Sequence, residues 1–214
     1  MGQYPKLIID KTKVLHNMRT LVSAAHACGV SIALVSKVVC AHPSVVECIA
    51  ESGCDMLADS RIENLEQAQV SIPKLSLRIS MPDSAEDVVR ASDISLESEE
   101  TTILVLQKAA EKLHKMHKII LMIDLGDLRE GLFYQDYETI LHAAQTVKSC
   151  PNLELYGTGT NLTCYGSGLP DEQNLGTLVR ITEHLRADLD LPIPVISGGN
   201  SRSEGHTSEL QPLA

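Results

Sequence analysis

A lysine inside an apolar run is the residue in this sequence best suited to covalent chemistry. Lys37 lies in Ala33-Leu34-Val35-Ser36-Lys37-Val38-Val39. Lysine is among the side chains least often buried. Two readings are open. A strand-end lysine can lay its stem along apolar neighbours and keep its amine in water. Alternatively, desolvation lowers its pKa and leaves a nucleophile that forms a Schiff base with an aldehyde. A second stretch, Ser197-Gly198-Gly199-Asn200-Ser201, combines glycines that let backbone N–H groups approach an anion with side chains that add donors. An ordinary glycine turn is the plainer reading. A third, Asp124-Leu125-Gly126-Asp127-Leu128-Arg129-Glu130-Gly131, places Arg129 in a loop bracketed by glycines. Arginine donates several hydrogen bonds to an oxyanion without titrating. A surface ion pair with Asp127 or Glu130 would explain it equally. His42, just beyond Lys37, is placed to contact a phosphate or a substrate. His114 and His117 read as a solvated helix end, because a metal site needs more ligands than these two. No metal is expected.

The elements that must position these residues alternate. Short runs rich in β-branched residues fall at Ser31–Val38, Met56–Ala58, Lys74–Ile79, Asp93–Leu96, Lys118–Leu125, Leu153–Thr158 and Pro194–Ser197. Between them, helical periodicity marks Lys11–Cys28, Pro43–Glu51, Arg61–Gln69, Ala85–Ala91, Glu99–His114, Tyr137–Lys148 and Glu172–Leu189. Pro43 suits a first helical turn. Asp59 or Ser60 is expected to cap the third helix, and Asp171 the last. Lys6–Asp10 reads as a leading strand outside the main sheet. Such alternation implies parallel strands joined by right-handed crossovers. No G-x-G-x-x-G follows the first strand and no P-loop is present, so a nucleotide-binding open sheet loses weight. The expected fold is an α/β, TIM-like (β/α)8 barrel, incomplete, with about seven β/α units. Function should then gather where strands end: Ser36-Lys37, Asp59-Ser60-Arg61, Arg78-Ile79-Ser80, Glu97-Ser98, Asp124-Leu125-Gly126, Thr160-Asn161 and Ser197 to Ser201.

Composition narrows the partners. With 214 residues, 43% of them hydrophobic, one sizeable core is possible. A formal net charge of −10 and an aromatic content of 3% argue against nucleic acid and anionic membrane as partners. The N-terminus carries no apolar signal core, and the apolar runs are too short to span a bilayer. A cytoplasmic protein is expected. Its six cysteines form no C-x-x-C pair and read as small hydrophobes or loop thiols. Residues 1–201 read as the barrel. Residues 202–214, polar and without periodicity, read as a non-native-looking or disordered tail on a truncated chain.

Together these stretches resemble the alanine racemase N-terminal-domain family, and within it the branch of ornithine and other amino-acid racemases. The resemblance runs from about Tyr4 to Ser201. It is carried by Pro5 to Asp10, Val35-Ser36-Lys37-Val38, Gly53-Cys54-Asp55, Asp59 to Asn64, Asp124 to Gly131, Gly159 to Gly166 and Ser197 to Ser201. It implies a barrel that binds pyridoxal 5′-phosphate (PLP). Lys37 matches the family lysine that forms the internal aldimine. Arg129 matches the arginine near the cofactor's phenolic oxygen and the substrate carboxylate. Asn161 stands where a histidine packs near the ring. Ser197, Gly198, Gly199, Asn200 and Ser201 match the start of the phosphate-binding segment.

The sequence also departs from alanine racemases. Where they carry a tyrosine shortly after the lysine, this chain reads Val38-Val39-Cys40-Ala41-His42. The arginine that faces their pyridine nitrogen, and the tyrosine that reaches in from a partner's C-terminal domain, have no counterpart in this chain. The resemblance implies an amino-acid racemase whose full-length form is a homodimer, with Lys37 moving a proton at the substrate Cα. A basic amino acid would want a carboxylate at the mouth, and Asp59, Glu63, Asp127 and Glu130 are the candidates. A non-catalytic PLP-binding protein and a Schiff-base aldolase are the competing readings.

Overall fold

Three of the seven described helices, the first and the last two, begin at side-chain caps. The computed structural model describes residues 8–162 and 169–198. Asp10 accepts the Lys13 N–H and starts α1 (Lys11–Ala27). Pro43 opens α2 (Pro43–Glu51), and α3 (Ile62–Gln67), α4 (Ala85–Ala91) and α5 (Glu100–Lys112) follow. Asp136 accepts from Thr139 at the head of α6 (Tyr137–Ser149). Asp171 and Asn174 form a reciprocal capping box on α7 (Glu172–Leu189), as the sequence led us to expect of Asp171. The third helix differs. Its cap position is Arg61, without a side-chain cap bond. Asp59 instead accepts the N–H of Arg61 itself at 2.9 Å, one residue before the helix.

The strands are β1 (Ala33–Val35), β2 (Met56–Asp59), β3 (Lys74–Ser76), β4 (Ile94–Glu97), β5 (His117–Asp124), β6 (Leu132–Phe133), β7 (Leu153–Gly159) and β8 (Val195–Ser197). Seven of them form one parallel sheet in the order β1-β2-β3-β4-β5-β7-β8, and β6 pairs with the end of β5. This is the expected succession of parallel units in a curled half-barrel, with β1 and β8 as its two edges. β6 was not anticipated. Of the proposed leading strand, residues 8–10 form no strand, and the rest lies outside the described residues.

Burial divides the molecule into a helix-covered side and a strand-only side. On the covered side, Ile119, Leu121 and Ile123 of β5 pack with Ile103 and Leu106 of α5, Ile140 of α6 and Leu178 of α7. Leu57 of β2 packs with Ile49 of α2 and Leu65 of α3. The alternate residues form a cluster built from strands and strand-end loops. Ala58, Leu75, Ile94, Leu96, Ile120 and Met122 lie at its centre, joined by Ala33 of β1 and Val195 of β8. Residues from both edge strands thus share one inner cluster, as curling of the sheet requires. A register shift between Ile119 and Ile120 leaves Tyr156 as the extra residue of β7. Its ring joins the inner cluster, with Lys118 Nζ 4.2 Å from the ring centroid.

His117 corrects an expectation. It is the first residue of β5, wholly buried, with Nε2 3.0 Å from Ser95 Oγ, and not part of a solvated helix end. The reason lies in the turn before it. α5 stops at Lys112, and His114 takes a left-handed φ of 51°, which reverses the chain into the sheet. His114 itself is exposed. Among the described residues no helix is long and apolar enough to cross a membrane.

Candidate active site

Because the main strands run parallel, their C-terminal ends share one end of the sheet, and the predicted residues collect there. Lys37 follows β1, Arg129 follows β5, Asn161 follows β7 and Ser197 closes β8. Gly198 comes next. Gly199, Asn200, Ser201, the segment Thr163 to Gly166 with Cys164, and the tail at 202–214 lie outside the described residues.

Lys37 does not sit inside a strand. β1 ends at Val35, and Ser36 leaves the extended conformation with φ −95° and ψ −5°. Its hydroxyl donates to Asp59 Oδ2 at 2.7 Å, and its carbonyl accepts the N–H groups of Val39 and Ala41. Lys37 therefore opens a 3-10 turn, Lys37–Val39, and is exposed. Of the two readings of the apolar run, the exposure of Lys37 favours a side chain that reaches out to water. Cys40 and Ala41 then take left-handed φ values of 49° and 48°, which deliver the chain to α2. His42 occupies the cap position of α2 and is exposed.

The strand-end carboxylates hold loops. Asp59 is fully buried, and besides Ser36 and the Arg61 N–H it accepts Asn64 Nδ2 at 3.0 Å. That set of bonds leaves it little capacity for a substrate cation. Glu97 at the end of β4 is also fully buried and accepts Ser80 Oγ at 2.5 Å. Burial pushes its carboxyl up to about 7 from an ordinary 4.5, against hydrogen bonds from Ser80 and Ser95. Burial drives the imidazole of His117 the other way, to about 4, and the Lys115 cation adds to that effect. Asp124 Oδ1 accepts the N–H groups of Gly126 at 2.8 Å and Leu128 at 3.1 Å. Those bonds fold the loop that carries Arg129, and Leu128 takes a left-handed φ of 54° there. The loop closes at Gly131, where φ is 114° and a Cβ would stand 2.6 Å from the Asp124 nitrogen.

Arg129 and Asn161 are brought together by a residue between them. Arg129 Nε lies 3.9 Å from Glu130 Oε1, and the Asn161 amide donates to that same oxygen. The sequence singled out both outer members and named Glu130 only as a possible partner for a basic substrate or a surface ion pair. Glu63 is exposed on the first turn of α3. At the β7–β8 junction the Thr160 N–H donates to the Ser197 carbonyl at 2.8 Å. Thr160 Oγ1 is buried without a hydrogen-bond partner among the described residues. Nothing in the sequence marked that hydroxyl beyond its place at a strand end. A surface groove of about 430 Å³ between α1 and α2, lined by Lys11, His16 and Glu51 among others, includes none of these residues.

The family model for the alanine racemase N-terminal domain matches residues 9–204. The chain belongs to the alanine racemase N-terminal-domain family. It is 41% identical over 201 residues to an ornithine racemase of Acetoanaerobium sticklandii, covering 94% of this chain and 56% of that protein. It is 30% identical to a lysine racemase of Thermotoga maritima, covering 92% of this chain and 55% of that one. The alanine racemase structure from a D-cycloserine-producing Streptomyces lavendulae superposes with a TM-score of 0.78 at 19% identity, over 95% of this chain and 55% of that chain. At that identity the likeness is one of fold. The chain spans about half the length of the curated relatives it matches. The alanine racemase-like barrel accounts for seven parallel strands whose polar ends face one way.

Proposed function

We propose that this chain is the barrel part of a PLP-dependent amino-acid racemase that interconverts the L and D forms of a basic amino acid, ornithine or lysine. The observation that carries this reading is the Lys37 amine. It stands exposed at the end of β1, on a turn tied to Asp59, at the same end of the sheet as Arg129, Asn161 and Ser197. Family membership supports the cofactor, and the ornithine and lysine racemases support the substrate class.

The residues present fit PLP. A primary amine that is reachable from outside suits an aldehyde, and a guanidinium suits an oxyanion. Thr160, whose N–H donates to the Ser197 carbonyl, has a buried Oγ1 without a partner among the described residues, a hydroxyl ready for a polar group at the phosphate end. Gly159 keeps the floor there low. A Cβ on it would stand 3.0 Å from Ile120 Cγ2 and from Met122 Sδ, and 3.5 Å from Ser197 Cβ. Lys37 would hold the aldehyde end, and Ser197 with Gly198 and the three residues after it the phosphate.

When bound, PLP withdraws electrons from the substrate Cα and makes its proton acidic. Lys37 Nζ is the base that takes or returns that proton on one face. Arg129 orients the substrate carboxylate. Inversion needs a second acid on the opposite face, which we assign to a partner subunit in a homodimer. A cytoplasmic setting suits the five described cysteines, all of them free thiols.

The test is an absorbance titration with PLP for the wild type and Lys37→Ala, followed by Cα deuterium exchange on ornithine, lysine and alanine. A red-shifted band lost in the variant, with exchange on the basic amino acids, supports the reading. A spectrum identical to free PLP in both proteins overturns it. A band without exchange on any amino acid would identify a PLP-binding protein that is not a catalyst.

A further inference from the structure

Glu130 lies between the two residues that the family resemblance places beside the ligand. It follows Arg129 directly in the loop after β5, while Asn161 comes from the loop after β7, 31 residues away in sequence. One carboxylate oxygen, Oε1, meets both: the Asn161 amide donates to it, and Arg129 Nε stands 3.9 Å from it. The Glu130 side chain is 16% exposed, against 34% for Arg129. The carboxylate is therefore the more enclosed member, and the guanidinium the more open one.

We infer that Glu130 is a positioning residue that joins Arg129 and Asn161 into one unit and fixes which atom of Asn161 meets the ligand. An ionised carboxylate only accepts hydrogen bonds. It therefore selects the NH2 end of the amide, and the orientation of an Asn side chain follows from such a partner. Asn161 Oδ1 is left without a bond to any described residue, so it offers an acceptor. The matching ligand group is a donor, either a protonated amine or a hydroxyl. Arg129, with Nε turned to Glu130, keeps its terminal nitrogens for an anionic group. Glu130 also offsets one positive charge, so the pair reads a ligand that carries an anion and a donor side by side. The Asp124 bonds to Gly126 and Leu128, and the close approach at Gly131, hold the loop in which this unit sits.

This inference deepens the PLP reading and rests on it for the identity of the ligand. The hydrogen bond itself is tested without any ligand. In the ligand-free chain, the side-chain amide resonances of Asn161, assigned by NMR, should shift and exchange faster in Glu130→Gln than in the wild type. Unchanged resonances overturn the inference. The functional consequence is tested by PLP affinity. Asn161→Asp sets two carboxylates against each other and should weaken PLP binding roughly tenfold, the usual scale of coupling between contacting residues. Adding Glu130→Gln restores a donor opposite an acceptor, with the roles exchanged, and should recover most of that loss. A merely structural loop residue would not produce rescue by a second substitution. A double variant that binds no better than Asn161→Asp overturns the inference. If the wild type binds no PLP, the proposed function falls, and the ligand-free resonances still decide the role of Glu130.

Discussion

The middle of the sheet and its first edge are built differently, although both carry candidate site residues. β5 has eight residues, all buried except the half-buried Lys118, and its two faces enter two separate apolar clusters. β1 has three residues, none fully buried, and Val35 is 42% exposed. Arg129 hangs from the rigid strand through a loop closed at both ends. Lys37 hangs from the edge strand through Ser36, whose hydroxyl donates to Asp59 and whose N–H donates to the Ala58 carbonyl. The turn that carries the lysine is held at its start by the bonds of Ser36 to Asp59 and Ala58 and at its end by the buried Ala41, while Lys37 itself is exposed.

That contrast can be broken or sharpened by substitution. The largest loss should come from the middle. Leu121→Ala removes a fully buried side chain between helices and sheet and should cost about 2–5 kcal/mol in denaturant unfolding. Val35→Ala, on the edge, should cost well under half as much. A loss at Val35 equal to that at Leu121 would erase the distinction. Asp59→Ala comes next. It leaves Ser36, Asn64 and the Arg61 N–H without their acceptor and should cost about 1–3 kcal/mol. It should also weaken PLP binding, because the Lys37 turn loses its anchor. PLP affinity unchanged in Asp59→Ala would show that the turn holds by other means.

The buried polar residues of the middle make a pH prediction. Glu97 titrates in the folded protein at about 7 instead of 4.5, so the folded state binds the extra proton between those values. Its contribution is complete below 4.5 and is lost as pH rises through 7. His117 titrates at about 4 instead of 6.5, so its contribution is present above 6.5 and is lost as pH falls through 4. Between about 4.5 and 6.5 the two slopes oppose. Glu97→Gln should expose the histidine slope, with stability rising with pH across that window while the wild type stays nearly flat. Parallel profiles for the two proteins in thermal melts would contradict it. The smallest stability effect belongs to the residue of greatest chemical interest. Lys37→Ala should change unfolding free energy by no more than about 0.5 kcal/mol, as for other exposed positions, while abolishing the PLP absorbance band.

Much of the architecture was legible because its signals are local. Pro43 marks a helix start through its fixed φ and Asp171 through bonds that span only a few residues, and both helices begin where they were expected. Apolar runs separated by helical periodicity announced parallel units, and parallel strands put Lys37, Arg129, Asn161 and Ser197 at one end. Boundaries were less legible where a side chain intervened. Ser36 ended β1 early by turning to Asp59, and the left-handed turn at His114 moved His117 from a helix end into the core.

By itself, the sequence determined the order of the helices and of the main-sheet strands and the direction of those strands. Each follows from propensity and periodicity among neighbours within a turn or two of chain. Only the tertiary structure decided which polar groups meet. Ser36 and Asp59 are 23 residues apart, Ser80 and Glu97 are 17, and Glu130 and Asn161 are 31. Those pairings depend on the register of separate strands and the path of the loops between them, so no local pattern encodes them. The same reason explains why Lys37 is exposed: its apolar neighbours in sequence are not the atoms that surround its amine in space.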